Sequence, residues 1–352
     1  MTEKEKVAII GSGNWGSAIA RIIATNTAKH ENIFEKETKI WVFEELIDGQ
    51  KLTEIMNTKH ENVKYLPGIT LPENLIAEPD LIKSVDGATI LVFVLPHQFI
   101  SRTLSTIKEH IKKGCRAITL IKGFVVDDQD EIHLISDMIS ESLGIQVSAL
   151  MGANVANEVA QDMFCETTIG CADQKDQEMY LKLFNTKTFR VSTVSDVYGV
   201  EICGSLKNIV ALGAGFCDGL SFGGNSKAAI MRIGLLEMKK FAQMFYKGVE
   251  SETFFESCGV ADLITTCVGG RNRKVAEAFV KTGKSWNDLE AELLNGQKLQ
   301  GTLTCDEVHR FLTKKGKIEE FPLFFTIYLI AQKKVEPLRV FDFDEVTTEF
   351  KK

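Results

Sequence analysis

No Cys-x-x-Cys pair occurs among the eight cysteines, and no Cys/His cluster falls at zinc-ligand spacing. That usage favours free thiols in a reducing compartment over a disulfide framework, and it offers no metal site. A positive net charge is also lacking: 41 Lys and Arg against 48 Asp and Glu leave −7. Such a balance argues against a nucleic-acid or anionic-membrane partner, although a local basic pocket stays open. The longest apolar run, around residues 321–331, is too short to cross a bilayer and contains Pro322. Only a charged hexapeptide and four apolar residues precede Gly11, too little for a signal-peptide core. The closing Glu349-Phe350-Lys351-Lys352 is no peroxisomal address. The expectation is a cytoplasmic protein without a membrane span.

What is present starts at Val7-Ala8-Ile9-Ile10, four apolar residues without alternation, as in a strand buried on both faces of a parallel sheet. Gly11-Ser12-Gly13-Asn14-Trp15-Gly16 follows in G-x-G-x-x-G spacing. Trp15, Ala18, Ile19, Ile22 and Ile23 then share one face of a helix. In such a unit the first glycine makes a tight turn, the second lets the backbone approach a pyrophosphate, and the third lets helix and strand pack closely. Phosphate then sits at the positive end of the helix dipole. These features point to dinucleotide binding.

At 352 residues, with 44% hydrophobic and 25% charged, the chain suits a soluble protein of two domains. The second strand is expected at Ile40-Trp41-Val42-Phe43, ending in Glu44-Glu45. A carboxylate there suits the ribose 2′-hydroxyl of NAD and repels the 2′-phosphate of NADP. Which glutamate does this is open. Phe43 is either core or part of an adenine pocket. Residues 51–86 read as helix, then loop, and further strands are expected at 88–95, 116–121, 147–151, 167–171 and 189–193. Ligands of such sheets bind beyond the carboxyl ends of the strands, which singles out Pro96-His97-Gln98-Phe99, Lys122-Gly123 and Gly152-Ala153-Asn154. His97 is a general acid/base candidate or a loop histidine, and Lys122 is an anion contact or a surface lysine.

From about Ser195 the β/α alternation gives way to long helical periods. The expected division is a doubly wound α/β domain of Rossmann type over 1–194 and an all-α domain over 195–352. Within the second, Lys207 has only Cys203, Gly204, Val210 and Ala211 as helical i±3 and i±4 neighbours, so its ammonium has no partner on its own helix. Burial lowers a lysine pKa, and a shift from roughly 10.4 toward 7–8 corresponds to about 4 kcal/mol. The alternative is a head that snorkels to water. Asp262 and Thr266 lie on one helical face, either toward a substrate or as an exposed acid beside an interior threonine. Gly269-Gly270-Arg271-Asn272-Arg273-Lys274 opens a helix with cations that oppose its dipole, which makes sense if an anion binds there. A basic surface loop is the other reading.

Taken together these stretches, with Leu120-Ile121-Lys122-Gly123, Met151-Gly152-Ala153-Asn154, 204–220, 259–278 and 295–301, closely resemble the NAD-dependent glycerol-3-phosphate dehydrogenases, particularly the eukaryotic cytosolic form. The resemblance implies a Rossmann domain, a helical substrate domain, a homodimer, and interconversion of dihydroxyacetone phosphate and sn-glycerol 3-phosphate. By matching motif, Lys207 would donate and accept the proton, with Asn208, Asp262 and Thr266 around the substrate oxygens. Arg271 and Asn272 would hold the substrate phosphate, and Lys122 would contact the substrate. Gly11, Ser12, Gly13, Asn14, Trp15, Gly16, Phe43, Phe99, Ala156, Arg271, Lys298 and Gln300 would contact NAD. No metal site is visible in the sequence.

Overall fold

The computed structural model describes residues 3–351. The chain divides into two compact units: residues up to 122 with 135–197, and 123–134 with 198 onward. The division is discontinuous, whereas the boundary expected near 194/195 assumed two unbroken halves.

The first unit is built on an eight-stranded sheet. Its strands in chain order are β1 (Val7–Ile10), β2 (Thr38–Trp41), β5 (Leu75–Glu78), β6 (Ile90–Phe93), β7 (Arg116–Thr119), β10 (Gln146–Met151), β11 (Cys165–Gly170) and β12 (Phe189–Val194). They lie in the order β12-β11-β10-β7-β6-β1-β2-β5, and every neighbouring pair is parallel except β10 with β11. Helices α1 (Asn14–Lys29), α2 (Leu52–Lys59), α3 (Leu81–Val85), α4 (Ile100–Ile107), α5 (Ile135–Leu143), α6 (Ala156–Ala160) and α7 (Gln174–Phe184) occupy the connections. Both central strands, β1 and β6, are buried along their whole length, which explains their unbroken apolar runs. From β1 the chain builds outward through β2 and β5, then returns to β6 on the other side of β1. That reversal creates a crevice at the carboxyl ends of β1 and β6. The predicted stripe of α1 packs inward: Ala18, Ile19, Ile22 and Ile23 are buried, and Trp15 rests against Phe189 with ring centroids 6.3 Å apart.

Two expectations need correction. The second strand forms two residues early, so Phe43 lies beyond its end rather than in it. Residues 51–86 hold not only α2 but also β5 and α3. β5 has four residues that alternate buried and half-buried, so it never forms a continuous apolar run. Two hairpins were also unforeseen: β3 (Leu46–Ile47) with β4 (Gln50–Lys51), and β8 (Phe124–Val126) with β9 (Ile132–Leu134).

The second unit comprises that β8–β9 hairpin and helices α8 (Val197–Gly219), α9 (Gly224–Phe245), α10 (Asp262–Gly269), α11 (Arg271–Thr282), α12 (Trp286–Leu294), α13 (Gln300–Lys314), α14 (Pro322–Ala331) and α15 (Phe343–Phe350). No strand occurs after β12 among the described residues. α8 is its central helix, with every residue from 199 to 217 buried. Its length and composition would suffice for a membrane span, but the whole apolar window is buried inside the protein. The uninterrupted run at 321–331 is thus not part of the longest apolar helix among the described residues. Glu201 and Lys207 interrupt α8 in sequence and hide its continuity. The hairpin is tied to α13 by ion pairs of Arg310 with Asp130 and of Lys314 and Lys315 with Glu131.

Candidate active site

In the first unit the three glycines differ in what surrounds them. Gly11, at φ +122°, is so close to β6 that a Cβ would meet the Val94 carbonyl oxygen at 2.8 Å. At Gly16 a Cβ would overlap the Gly11 carbonyl, so α1 packs directly on the turn. Gly13 has nothing within 4 Å of a Cβ. It caps α1 without a side-chain hydrogen bond, and the first turn carries no acid. That is backbone held open toward solvent at the positive end of a helix, the setting an anionic pyrophosphate requires. Side chains brace the loop from behind. Asn62 Nδ2 donates to the Ser12 carbonyl and to Ser17 Oγ, both at 2.9 Å. Asn14 Nδ2 donates to the Tyr65 carbonyl at 2.7 Å and to Asn157 Oδ1 at 2.8 Å. Asn62, Tyr65 and Asn157 were not foreseen, since each lies far along the chain from the motif it supports.

Phe43, two residues past β2, is 70% exposed, and Phe99, in the 3-10 turn that follows β6, is 52% exposed. Neither belongs to the core, which leaves their rings available to a planar ligand. Glu44 accepts from Thr53 Oγ1 at 2.5 Å and from Thr53 N at 3.2 Å. Glu45 accepts from the Tyr65 hydroxyl at 2.7 Å and pairs with Lys64, whose ammonium holds the carboxyl below its usual range. Both carboxylates at the edge thus have internal partners. Lys122 Nζ donates to the Gly152 carbonyl at 3.3 Å, just beyond β7 and β10, and Ala156 opens α6. His97 sits in a short 3-10 turn after β6, and burial pushes its imidazole below the usual range. The open glycine, the bare helix start and the exposed rings fit a dinucleotide.

The second unit gathers side chains. Lys207 is 6% exposed and Asp262 3%. Lys207 Nζ pairs with Asp262 Oδ1 and donates to Thr266 Oγ1 at 2.9 Å, while Thr266 Oγ1 donates to the Asp262 carbonyl at 2.6 Å. A π-helical turn, Ser257–Ala261, runs directly into α10 and sets Asp262 as its first residue. Such wide turns are frequent at functional sites. The lysine is buried as expected, but it has a partner. Asp262 lies 55 residues away in the chain, and a carboxylate at this range favours the charged form that burial disfavours. The snorkelling alternative and the exposed-acid alternative both fall.

A second polar chain adjoins it in sequence. Asn272 Nδ2 donates to Asn208 Oδ1 at 2.9 Å, and Asn272 Oδ1 accepts the Gly301 N–H at 2.9 Å. Arg271 is exposed at the start of α11, makes no ion pair among the described residues, and donates to Gln297 Oε1 at 3.1 Å. Arg273 behaves differently. It reaches Asp218 at 3.1 Å and also pairs with Glu277, so its charge is offset internally and does not add to an anion site. Lys298, 64% exposed at its side chain, holds Glu290 at 2.8 Å and Asn287 at 2.9 Å, and Gln300 donates to Thr304 Oγ1 at 3.2 Å.

Comparison with known proteins gives this geometry a family. The model for the N-terminus of NAD-dependent glycerol-3-phosphate dehydrogenases matches residues 6–177, and the model for their C-terminus matches 196–342. The chain belongs to the NAD-dependent glycerol-3-phosphate dehydrogenases. It is 57% identical over 328 residues to the cytoplasmic NAD(+) glycerol-3-phosphate dehydrogenase of Rattus norvegicus, covering 93% of each chain. The cytoplasmic enzyme of Homo sapiens is 56% identical over the same shares. A solved glycerol-3-phosphate dehydrogenase from Saccharomyces cerevisiae aligns at a TM-score of 0.93 with 49% identity, covering 97% of this chain and all of that one. The cofactor of this dehydrogenase is NAD, in keeping with the acidic edge after β2. Of the residues singled out beforehand, Lys207, Asp262 and Thr266 form one hydrogen-bonded cluster, and Asn208 and Asn272 a second. Gln297, Gly301 and Glu290 were missed as partners. Gln297 and Gly301 lie in a largely polar loop bracketed by glycines, and Glu290 in α12 before it, and neither stretch carries a local signal of what it touches.

Proposed function

We propose that this dehydrogenase interconverts dihydroxyacetone phosphate and sn-glycerol 3-phosphate in the cytosol, as a homodimer. The observation that carries the chemistry is the buried Lys207–Asp262–Thr266 cluster. NAD, when bound, accepts hydride from the alcohol carbon or, reduced, supplies it to the ketone. Lys207 protonates the ketone oxygen as that oxygen gains charge, and takes the proton back in the oxidative direction. Asp262 and Thr266 orient the ammonium, so its position does not have to be organised during the reaction. General acid–base catalysis of this kind contributes roughly 10²–10⁴-fold. Asn208 lies beside the substrate oxygens. Arg271 and Asn272, at the first turn of α11, hold the substrate phosphate, where the helix dipole favours an anion. Lys122 contacts the substrate. Gly11, Ser12, Gly13, Asn14, Trp15, Gly16, Phe43, Phe99, Ala156, Lys298 and Gln300, with Arg271, contact the cofactor.

Absorbance of NADH follows the reaction directly. The wild type is expected to turn over dihydroxyacetone phosphate far faster than unphosphorylated dihydroxyacetone. Arg271→Ala is expected to erode that preference by about 10- to 100-fold, since hydrogen bonds to charged groups contribute roughly 1.5–3 kcal/mol. If the variant treats the two ketones in the wild-type ratio, the phosphate binds elsewhere. Sedimentation at twice the chain mass of 39.2 kDa tests the dimer.

A further inference from the structure

Glu290 of α12 is 4% exposed, and nothing in the chemistry above uses it. Both of its carboxylate oxygens and its backbone carbonyl are directed to the connection between α12 and α13. The carbonyl accepts the Gly296 N–H at 2.9 Å, Oε1 accepts the Leu299 N–H at 2.9 Å, and Oε2 takes the Lys298 ammonium at 2.8 Å. Asn287, on the same helix, takes a further hydrogen bond from Lys298 at 2.9 Å. Between these clamps the backbone turns through left-handed conformations at Asn295 and Gly296, with φ +52° and +78°. Asn295, Gly296, Gln297 and Lys298 are all exposed. A polar connection with so little buried surface has low local stability, and it holds one shape only if something anchors it.

What the anchor holds in place is informative. Gln297, inside the clamped stretch, accepts from Arg271, and Gly301, just past it, donates to Asn272, which in turn donates to Asn208 beside Lys207. A buried carboxylate is costly unless fully partnered. Here its partners are backbone and side-chain groups of the segment that touches both α11 residues.

We propose that Glu290 is a positioning residue for the reaction, which fixes residues 295–301 so that Gln297 aims Arg271 and Gly301 holds Asn272. The proposal rests on Arg271 and Asn272 binding the substrate phosphate. Glu290→Gln separates this role from simple space-filling. The amide has one oxygen, and when that oxygen accepts the Leu299 N–H its NH₂ faces the Lys298 ammonium, so the pair is lost with the volume kept.

In the free enzyme, amide hydrogen exchange over 295–301 is expected to become about tenfold faster in Glu290→Gln. In turnover, KM for dihydroxyacetone phosphate is expected to rise about tenfold while kcat stays within about twofold. Lys298→Met removes the same pair together with the Lys298–Asn287 bond, and is expected to speed exchange over 295–301 by a comparable amount. Because both changes break the same pair, their effects on exchange are expected to fall short of additive in the double variant. Unchanged exchange in Glu290→Gln overturns the proposal. So does faster exchange with an unmoved KM, which makes Glu290 a structural anchor without a part in substrate binding. Either result leaves the phosphate reading standing as long as Arg271→Ala loses its preference for the phosphorylated ketone. An Arg271→Ala with the wild-type ratio overturns both.

Discussion

The glycine loop of the first unit and the lysine cluster of the second solve opposite problems. The loop works by leaving side chains out: at Gly13 the space beside the backbone is open, and at Gly11 and Gly16 a single methyl group has no room. The cluster works by crowding polar side chains into a helical core, where Lys207, Asp262, Thr266, Asn208 and Asn272 are all buried. A phosphate can be held by backbone N–H groups at a helix start, so that site needs little more than a correctly bent chain. A proton has to be carried by a titratable group, and burying one requires partners drawn from other helices. The first site is therefore local and the second is not.

The largest expected effect lies on the buried side of the comparison. Lys207→Ala should lower kcat by roughly 10²–10⁴-fold while NADH still binds, because the glycine loop proposed to hold the cofactor lies in the other unit. Nicotinamide fluorescence on titration checks the binding, and single-turnover absorbance checks the chemistry. A variant with near-normal kcat would remove Lys207 from the mechanism.

A second buried acid in the helical unit tests whether burial there always serves chemistry. Glu237 accepts the Leu323 and Phe324 N–H groups at 2.8 and 2.9 Å, at the start of α14. These bonds favour the carboxylate, but burial outweighs them and pushes the carboxyl from 4.5 up to about 7. The neutral form is the one that folding favours. Its contribution, roughly 3 kcal/mol, is complete below about pH 4.5 and is lost as pH rises through about 7. Melting curves of wild type and Glu237→Gln should diverge across that interval, with the wild type losing stability relative to the variant as pH rises. Parallel curves would show that Glu237 is ionised throughout.

The glycines break the comparison from the other side. Gly11→Ala forces a methyl group against the Val94 carbonyl at φ +122°, and should cost about 1–3 kcal/mol of stability. Gly13→Ala meets nothing, so its melting temperature should stay near wild type while NADH affinity falls. If Gly13→Ala bound NADH normally, the open space would not be where the pyrophosphate lies. The smallest effect belongs to the β8–β9 hairpin. Glu131 pairs with Lys314 and Lys315 at the surface, and these ammonium groups hold its carboxyl below the usual range. Glu131→Gln should loosen the hairpin at low ionic strength, with the difference vanishing in high salt as the pairs are screened. Proteolysis in the two buffers would reveal it.

Much of the first site was legible because its information is short-ranged. Four apolar residues, three glycines and a helical stripe fall within seventeen consecutive positions, 7–23, and each follows from strand burial or backbone freedom. The burial of Lys207 was legible for the same reason, since its helical neighbours are small or apolar. Its partner was not. Nothing near Lys207 in the chain indicates Asp262, and nothing in Gly270-Arg271-Asn272-Arg273 tells that Arg271 faces outward while Arg273 turns back to Asp218 and Glu277. β5 escaped notice because four alternating residues between Pro72 and Pro79 carry too weak a period.

Periodicity, glycine placement and charge sign are properties of neighbouring residues, so the chain states them openly: a doubly wound sheet, a dinucleotide turn, a helical second half. Pairings such as Lys207 with Asp262, Asn272 with Asn208, and Glu290 with Leu299 depend on which helix faces come together, because a hydrogen bond is decided by ångströms in space and not by distance along the backbone. Those were decided only when the helices packed.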